Sequence, residues 1–218
     1  MTQRTGGLYR LLYFSGFYQW FQDLLGDRAF MRAVADDWIR PRPGDRLLDL
    51  GCGVGSLLAY LPQVQFVGVD HNADYIERAR QRFGKRGTFL TVDLNRLQYD
   101  PGWIGGFQII TLICVTHHLS DSEVLALFGT LGKFLAPEGR LCLVDPCFHE
   151  DQPWLARQLA KRDRGEHVRD ESEYERLARE AFASVRAEVR QGILRLPYSH
   201  LFLEAHGPRG DHRHASRE

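Results

Sequence analysis

The stretch Leu47-Leu48-Asp49-Leu50-Gly51-Cys52-Gly53-Val54-Gly55-Ser56-Leu57-Leu58 limits what this chain can fold into more than any other. A short apolar run carries an acid, and three glycines at alternate positions then lead into a new apolar segment. The pattern predicts a parallel strand, a tight turn and the first turn of a helix. Glycine suits such a turn because it reaches positive φ readily and leaves room for a ligand against the backbone. A helix start beyond the turn would present free N–H groups to whatever sits in the loop. The expectation is a bound nucleoside-type cofactor, and spacing narrows which one. Dinucleotide folds use G-x-G-x-x-G, the third glycine allowing close helix–strand packing beside a pyrophosphate. Here Ser56 stands where that glycine would be, and Asp49 ahead of the turn would repel a pyrophosphate. A carboxylate there suits a cofactor carrying an amino group and a sulfonium.

Two more acids fall at equivalent places. Residues Val64 to Asp70 read as a second strand ending in Asp70, where a carboxylate can accept hydrogen bonds from ribose hydroxyls. His71 follows, and Asn72 is placed to cap a helix over Ala73 to Phe83, with Tyr75, Ile76, Ala79 and Phe83 on one face. Thr88 to Leu94 read as a third strand, closed by Asp93. Any one of these acids fits a turn or a helix cap as well as a ligand site. Three of them, each at the carboxyl end of a successive strand, mark the edge where open α/β sheets bind ligands. A fourth strand, Phe107 to Cys114, is apolar nearly throughout and runs through Val115 into His117-His118-Leu119. Ser120 or Asp121 caps a helix from Glu123 to Leu135. The turn Ala136-Pro137-Glu138-Gly139 stops it, and a fifth strand covers Arg140 to Pro146.

Residues 44 to 147 resemble the class I S-adenosylmethionine (SAM) dependent methyltransferases, and the turn Asp163-Arg164-Gly165 with Arg169 resembles an element of small bacterial members of unassigned substrate. The matching features are D-x-G-x-G-x-G from Asp49, the acids closing strands two and three, the strand into His-His-Leu and the L-x-P-x-G-x-L turn before strand five. The resemblance implies an α/β fold: a doubly wound, mostly parallel seven-stranded sheet of Rossmann-like methyltransferase type. Length and helical spacing in the flanks lead to the expectation of one domain over 1–206, with helices over 1–40 as a lid, the SAM-binding core at 44–147 and a helical insertion at 148–183 before strand six. Residues 207–218 are expected to be a disordered tail. By the same resemblance Asp49, Gly51, Cys52, Gly53 and Gly55 line the methionine end of SAM. Asp70 with His71 serves the ribose, Asp93 and Leu94 face the adenine, and backbone at Cys114 and Val115 flanks the methionine moiety.

Composition sets limits on partners. The chain has 218 residues, 44% of them hydrophobic, enough for one domain with a sizeable core. Its formal net charge is zero, whereas a nucleic-acid partner usually leaves a basic footprint. The expected partner is a small molecule, with neither nucleic acid nor membrane, and a homodimer is left open. Cys52, Cys114, Cys142 and Cys147 contain no C-x-x-C pair and read as small buried thiols of a reducing, cytoplasmic compartment. No run approaches a membrane span and no signal-peptide core stands at the N-terminus. Arginine far outnumbers lysine, which hints at a GC-rich bacterial genome.

The flanks should choose the acceptor. Aromatic residues crowd positions 9 to 21, and either pack on the sheet or turn Tyr9, Tyr13 or Tyr18 into the methyl-transfer pocket. Arg164 and Arg169, in Asp163-Arg164-Gly165 and beyond, are shaped to fork onto a carboxylate or phosphate. The competing reading is an internal salt-bridged corner. A hydroxyl acceptor needs a base, and His117 or His118 at the cofactor edge, with Asp145 at the end of strand five, are the catalytic candidates. No metal site is expected. Two rival functions stay open: a non-catalytic SAM-binding or dimerising module, and a nicotinamide-dependent oxidoreductase.

Overall fold

The computed structural model of the chain describes residues 27–61, 63–93, 101–152, 154, 157, 167–193 and 199–209. Its strands are β1 (Arg46–Leu50), β2 (Gln65–Asp70), β3 (Gly87–Thr91), β4 (Phe107–Ile113), β5 (Leu135–Phe148), β6 (Arg169–Asp170), β7 (Phe182–Gln191) and β8 (Ser199–Pro208). They lie in the order β3-β2-β1-β4-β5-β8-β7, and the two-residue β6 pairs with the end of β5. Strands β1 to β5 run parallel, and β8 runs antiparallel to both β5 and β7. Strand order reverses between β1 and β4, which puts the ligand crevice of an open sheet at their carboxyl ends.

The central strands are apolar at consecutive positions because both faces are covered. Leu47 of β1 and Ile109 of β4 join Trp38, Phe66 and Ile76 in one layer, whereas their neighbours Leu48 and Ile110 join Leu131 and Phe134 in the other. Each such fully buried side chain contributes about 1.5–3 kcal/mol. Helix α1 (Asp27–Ala33) continues into a π-helical turn, Val34–Ile39. Trp38 fixes this segment to the sheet: its indole N–H donates to Leu203 O at 3.4 Å and its ring meets Phe202 edge-on. Helix α2 (Ala73–Phe83) is capped by the Asn72 side chain, which accepts from the N–H groups of Asp74 and Tyr75. Helices α3 (Asp121–Phe134) and α4 (Glu171–Ala181) each start with a capping box, Ser120 with Glu123 and Asp170 with Glu173. Among the described residues no helix is long and apolar enough to cross a membrane.

Several expected boundaries move. The glycine turn enters a five-residue 3₁₀ segment, Ser56–Tyr60, instead of an α-helix. Strand β3 stops at Thr91, so Asp93 lies two residues beyond it. Strand β5 begins at Leu135, which pairs with Phe107 before a register shift. The tail expected to be disordered from 207 is ordered further: Gly207 and Pro208 belong to β8, and Arg209 N–H donates to Ala181 O at 2.8 Å. Residues 210–218, and the aromatic segment carrying Tyr9, Tyr13 and Tyr18, lie outside the described residues.

Candidate functional site

The site is built from the carboxyl ends of β1, β2, β4 and β5. Gly51 and Cys52 both donate their N–H to Val69 O, at 2.8 and 3.0 Å, which folds the glycine turn over the end of β2. Gly51, Gly53 and Gly55 all have positive φ, between 54° and 74°. They differ in what surrounds them. A Cβ on Gly51 would lie 2.6 Å from Val115 Cγ2, and one on Gly55 would lie 2.9 Å from the Phe89 ring. A Cβ on Gly53 would meet nothing within 4 Å, so Gly53 borders open space.

The carboxylates follow from the strand ends. Asp70 is buried and uses both oxygens on the backbone: Oδ2 accepts from Gly53 N–H at 2.9 Å and Oδ1 from Asn72 N–H at 2.8 Å. Each oxygen keeps a second lone pair for a further donor. His71 Nδ1 lies 3.4 Å from Asp70 Oδ1. Asp49 is also buried and accepts from the Thr111 hydroxyl of β4 at 2.7 Å. Burial pushes its carboxyl up to about 7, opposed by the Thr111 hydrogen bond and reinforced by the charge on Asp70. Asp93 is exposed, and Val92 N–H ties its segment to Asp70 O at 2.9 Å. Leu94 lies outside the described residues. Cys52 is buried, which holds its thiol well above the usual range. Cys114 departs from the expectation of four buried thiols: it is exposed, at φ 55°, where the chain turns off the end of β4. Its N–H donates to Val144 O at 2.8 Å.

Beyond Val115, a 3₁₀ turn over Thr116–His118 brings His117 onto β5. Asp145 is fully buried and gathers this turn. Its Oδ2 accepts from Thr116 N–H at 2.9 Å, from the Thr116 hydroxyl and from His117 N–H at 3.1 Å. Its Oδ1 lies 2.9 Å from His117 Nδ1. A carboxylate only accepts, so Nδ1 carries the proton and Nε2 is the basic nitrogen. The His118 ring lies 4.0 Å from that of His117, centroid to centroid. Sequence reasoning found these three residues separately, but gave no sign that Asp145 and His117 are partners.

Arg169 turns away from the role expected of it. Its guanidinium is buried and donates to Asp121 Oδ1 at 2.9 Å and to the carbonyls of Thr116, Leu119 and His167. With its donors directed there it is a structural clamp, and its assignment to substrate is withdrawn. The internal corner does form, with Asp121 as the acid. Arg164 lies outside the described residues. Thr111 was missed, since a threonine within a buried strand carries no signal of its own.

Three comparisons bear on this site. A family model described as "Methyltransferase domain" matches residues 21–183. The chain is 28% identical over 156 residues to phosphoethanolamine N-methyltransferase 1 of Arabidopsis thaliana, covering 68% of this chain and 31% of the plant enzyme. It is 39% identical over 85 residues to ribosomal RNA small subunit methyltransferase A of an Anaeromyxobacter species, covering 37% of this chain and 28% of that protein. It thus spans about a third of the length of these curated relatives. In structure it is similar to Haemonchus contortus phosphoethanolamine N-methyltransferase 2, solved with phosphomonomethylethanolamine and S-adenosylhomocysteine. That likeness has a TM-score of 0.70 at 16% identity, over 93% of this chain and 59% of the other.

Proposed function

Because the chain belongs to the methyltransferase-domain family, we propose that it binds SAM over the glycine turn and moves the methyl group to a small or medium-sized metabolite. The observation that carries this reading is the acidic lining of the turn. Asp49 and Asp70 are buried within charge-to-charge influence of each other, and Asp70 accepts from the N–H of Gly53, which borders open space. A cation bound nearby would offset the repulsion between the two buried acids, and the second lone pairs on Asp70 can accept hydroxyl donors. The amino group and sulfonium of SAM supply the cation, and its ribose supplies the hydroxyls. Asp49 with Gly51, Cys52, Gly53 and Gly55 would hold the methionine end, Asp70 with His71 the ribose, and Asp93 with Leu94 the adenine. Cys114 and Val115 would border the sulfur. The neutral net charge supports a metabolite acceptor over RNA.

SAM supplies an already activated methyl group, so what remains for the chain is to orient the acceptor and exclude water. Orientation of that kind contributes on the order of 7–11 kcal/mol to barrier reduction. His117 Nε2 takes the proton that the acceptor loses, while Asp145 fixes the tautomer and steadies the imidazolium. His118 flanks the pair. Titration of the purified chain with SAM and NAD tests the cofactor, and transfer of label from methyl-labelled SAM to a metabolite extract tests turnover. His117→Gln should leave SAM affinity within about twofold and lower kcat by about 10²–10⁴. Equal loss of affinity and turnover would assign His117 to holding the turn alone.

A further inference from the structure

A cluster of polar side chains lies beyond the proposed proton acceptor, where β5 and β8 meet. Asp145 pairs with Leu201, and Pro146 with His200. Side chains alternate across a sheet, so Cys147 of β5 and Ser199 of β8 fall on the same face as Asp145. They sit two residues further out, a strand distance of about 7 Å. Just past β5, His149 Nε2 lies 3.1 Å from Ser199 Oγ. Gln152 Nε2 donates to Cys147 O at 3.4 Å and lies 3.5 Å from Ser199 Oγ. Gln152 is only 8% exposed and Ser199 2%. Those contacts fix which end of the amide is the nitrogen. The other end, Gln152 Oε1, is buried and receives no donor from the described residues.

A buried acceptor without a donor typically costs about 1–3 kcal/mol, and a core position would ordinarily hold an apolar residue there. A hydrogen-bond donor arriving with a ligand removes that penalty. Resting on the methyl-transfer reading, we propose that Gln152, Ser199 and His149 form a subsite for a hydroxyl or amino group of the acceptor, remote from the atom that is methylated. Gln152 Oε1 takes the hydrogen bond, and Ser199, held between Gln152 and His149, steadies the amide. The acceptor then reaches from His117 to this cluster, which selects molecules with a second polar group at that separation. The cluster of His149, Gln152 and Ser199 contains no lysine or arginine and its open atom is an acceptor, so a neutral or cationic donor fits it better than a phosphate or carboxylate.

The test is ligand-observed NMR on the full chain saturated with S-adenosylhomocysteine. The probes are a panel of amino alcohols and polyols, matched monofunctional alcohols and amines, and phosphorylated counterparts. The wild type should bind bifunctional members in preference to monofunctional ones. Gln152→Met, similar in shape but without the amide, should weaken them about tenfold, while Gln152→Glu, which keeps an acceptor, should hold them within about threefold. Ser199→Ala should give an intermediate loss, and it carries the test alone if Gln152→Met proves unstable by thermal melting. Unchanged affinities in the variants, no panel member bound by the wild type, or preference for the phosphorylated set would overturn the subsite. Binding that follows this pattern without methyl transfer from SAM would instead contradict the proposed reaction and leave the subsite standing.

Discussion

Asp49 shows how one position couples cofactor and proton. Its carboxyl is raised to about 7 by burial, against an ordinary value near 4 in an unfolded chain. The folded state therefore holds this proton where the unfolded state has lost it, and stability falls as pH rises from about 4 to about 7, then levels off. Asp49→Asn should flatten that stretch of a chemical-denaturation pH series. A cation bound beside Asp49 favours the ionised form, so SAM binding below about pH 7 should release a proton. Calorimetry at pH 6 in buffers of different ionisation enthalpy would read about one proton or less, and none at pH 8.5. The glycines separate turn geometry from ligand space in the same way. Gly51→Ala drives a methyl into Val115 at positive φ and should destabilise by about 1–3 kcal/mol in thermal unfolding. Gly53→Ala meets nothing, so it should lose only about 1–2 kcal/mol, the cost of an L residue held at positive φ, yet weaken SAM markedly. The acids and glycines were legible as residues because their chemistry is local and their spacing regular. Thr111, Gln152 and Ser199 were not, since what matters about them is a partner 47 to 62 positions away.

At the scale of elements, period and caps carried most of the reading. Asn72 caps α2 and Ser120 caps α3, because each motif closes within one turn. Helix α2 runs over the expected Ala73–Phe83. The strand ends were less legible. Strand β3 stops at Thr91 and β5 starts at Leu135 because register with a neighbour, and not residue type, decides where pairing ends. Arg169 marks the same limit: its sequence context invited a ligand role, and the fold spends its donors on joining β6 to the start of α3. Arg169→Met would leave three carbonyls without this donor, while the half-exposed Asp121 keeps its ion pair with Arg176. The unsatisfied carbonyls should destabilise the chain by about 1–3 kcal/mol, read by urea unfolding, and loosen the turn that carries His117. An unaltered midpoint would remove the clamp from this account.

Across the whole molecule, the sheet order β3-β2-β1-β4-β5-β8-β7 gathers chemistry at one edge. The acids of β1 and β2 stand on one side of the switch point, and the His117–Asp145 pair on the other. A cofactor over β1 and β2 thereby faces an acceptor over β4 and β5. The doubly wound architecture was legible because buried parallel strands are continuous apolar runs separated by amphipathic helices. The most direct measurement is calorimetric titration of the chain with SAM, run beside Asp70→Asn. Saturable one-to-one binding by the wild type, weakened at least about tenfold by the loss of two charge-assisted acceptors worth about 1.5–3 kcal/mol, is the predicted result. A wild type that ignores SAM, or an Asp70→Asn variant that binds it as tightly, would contradict the account.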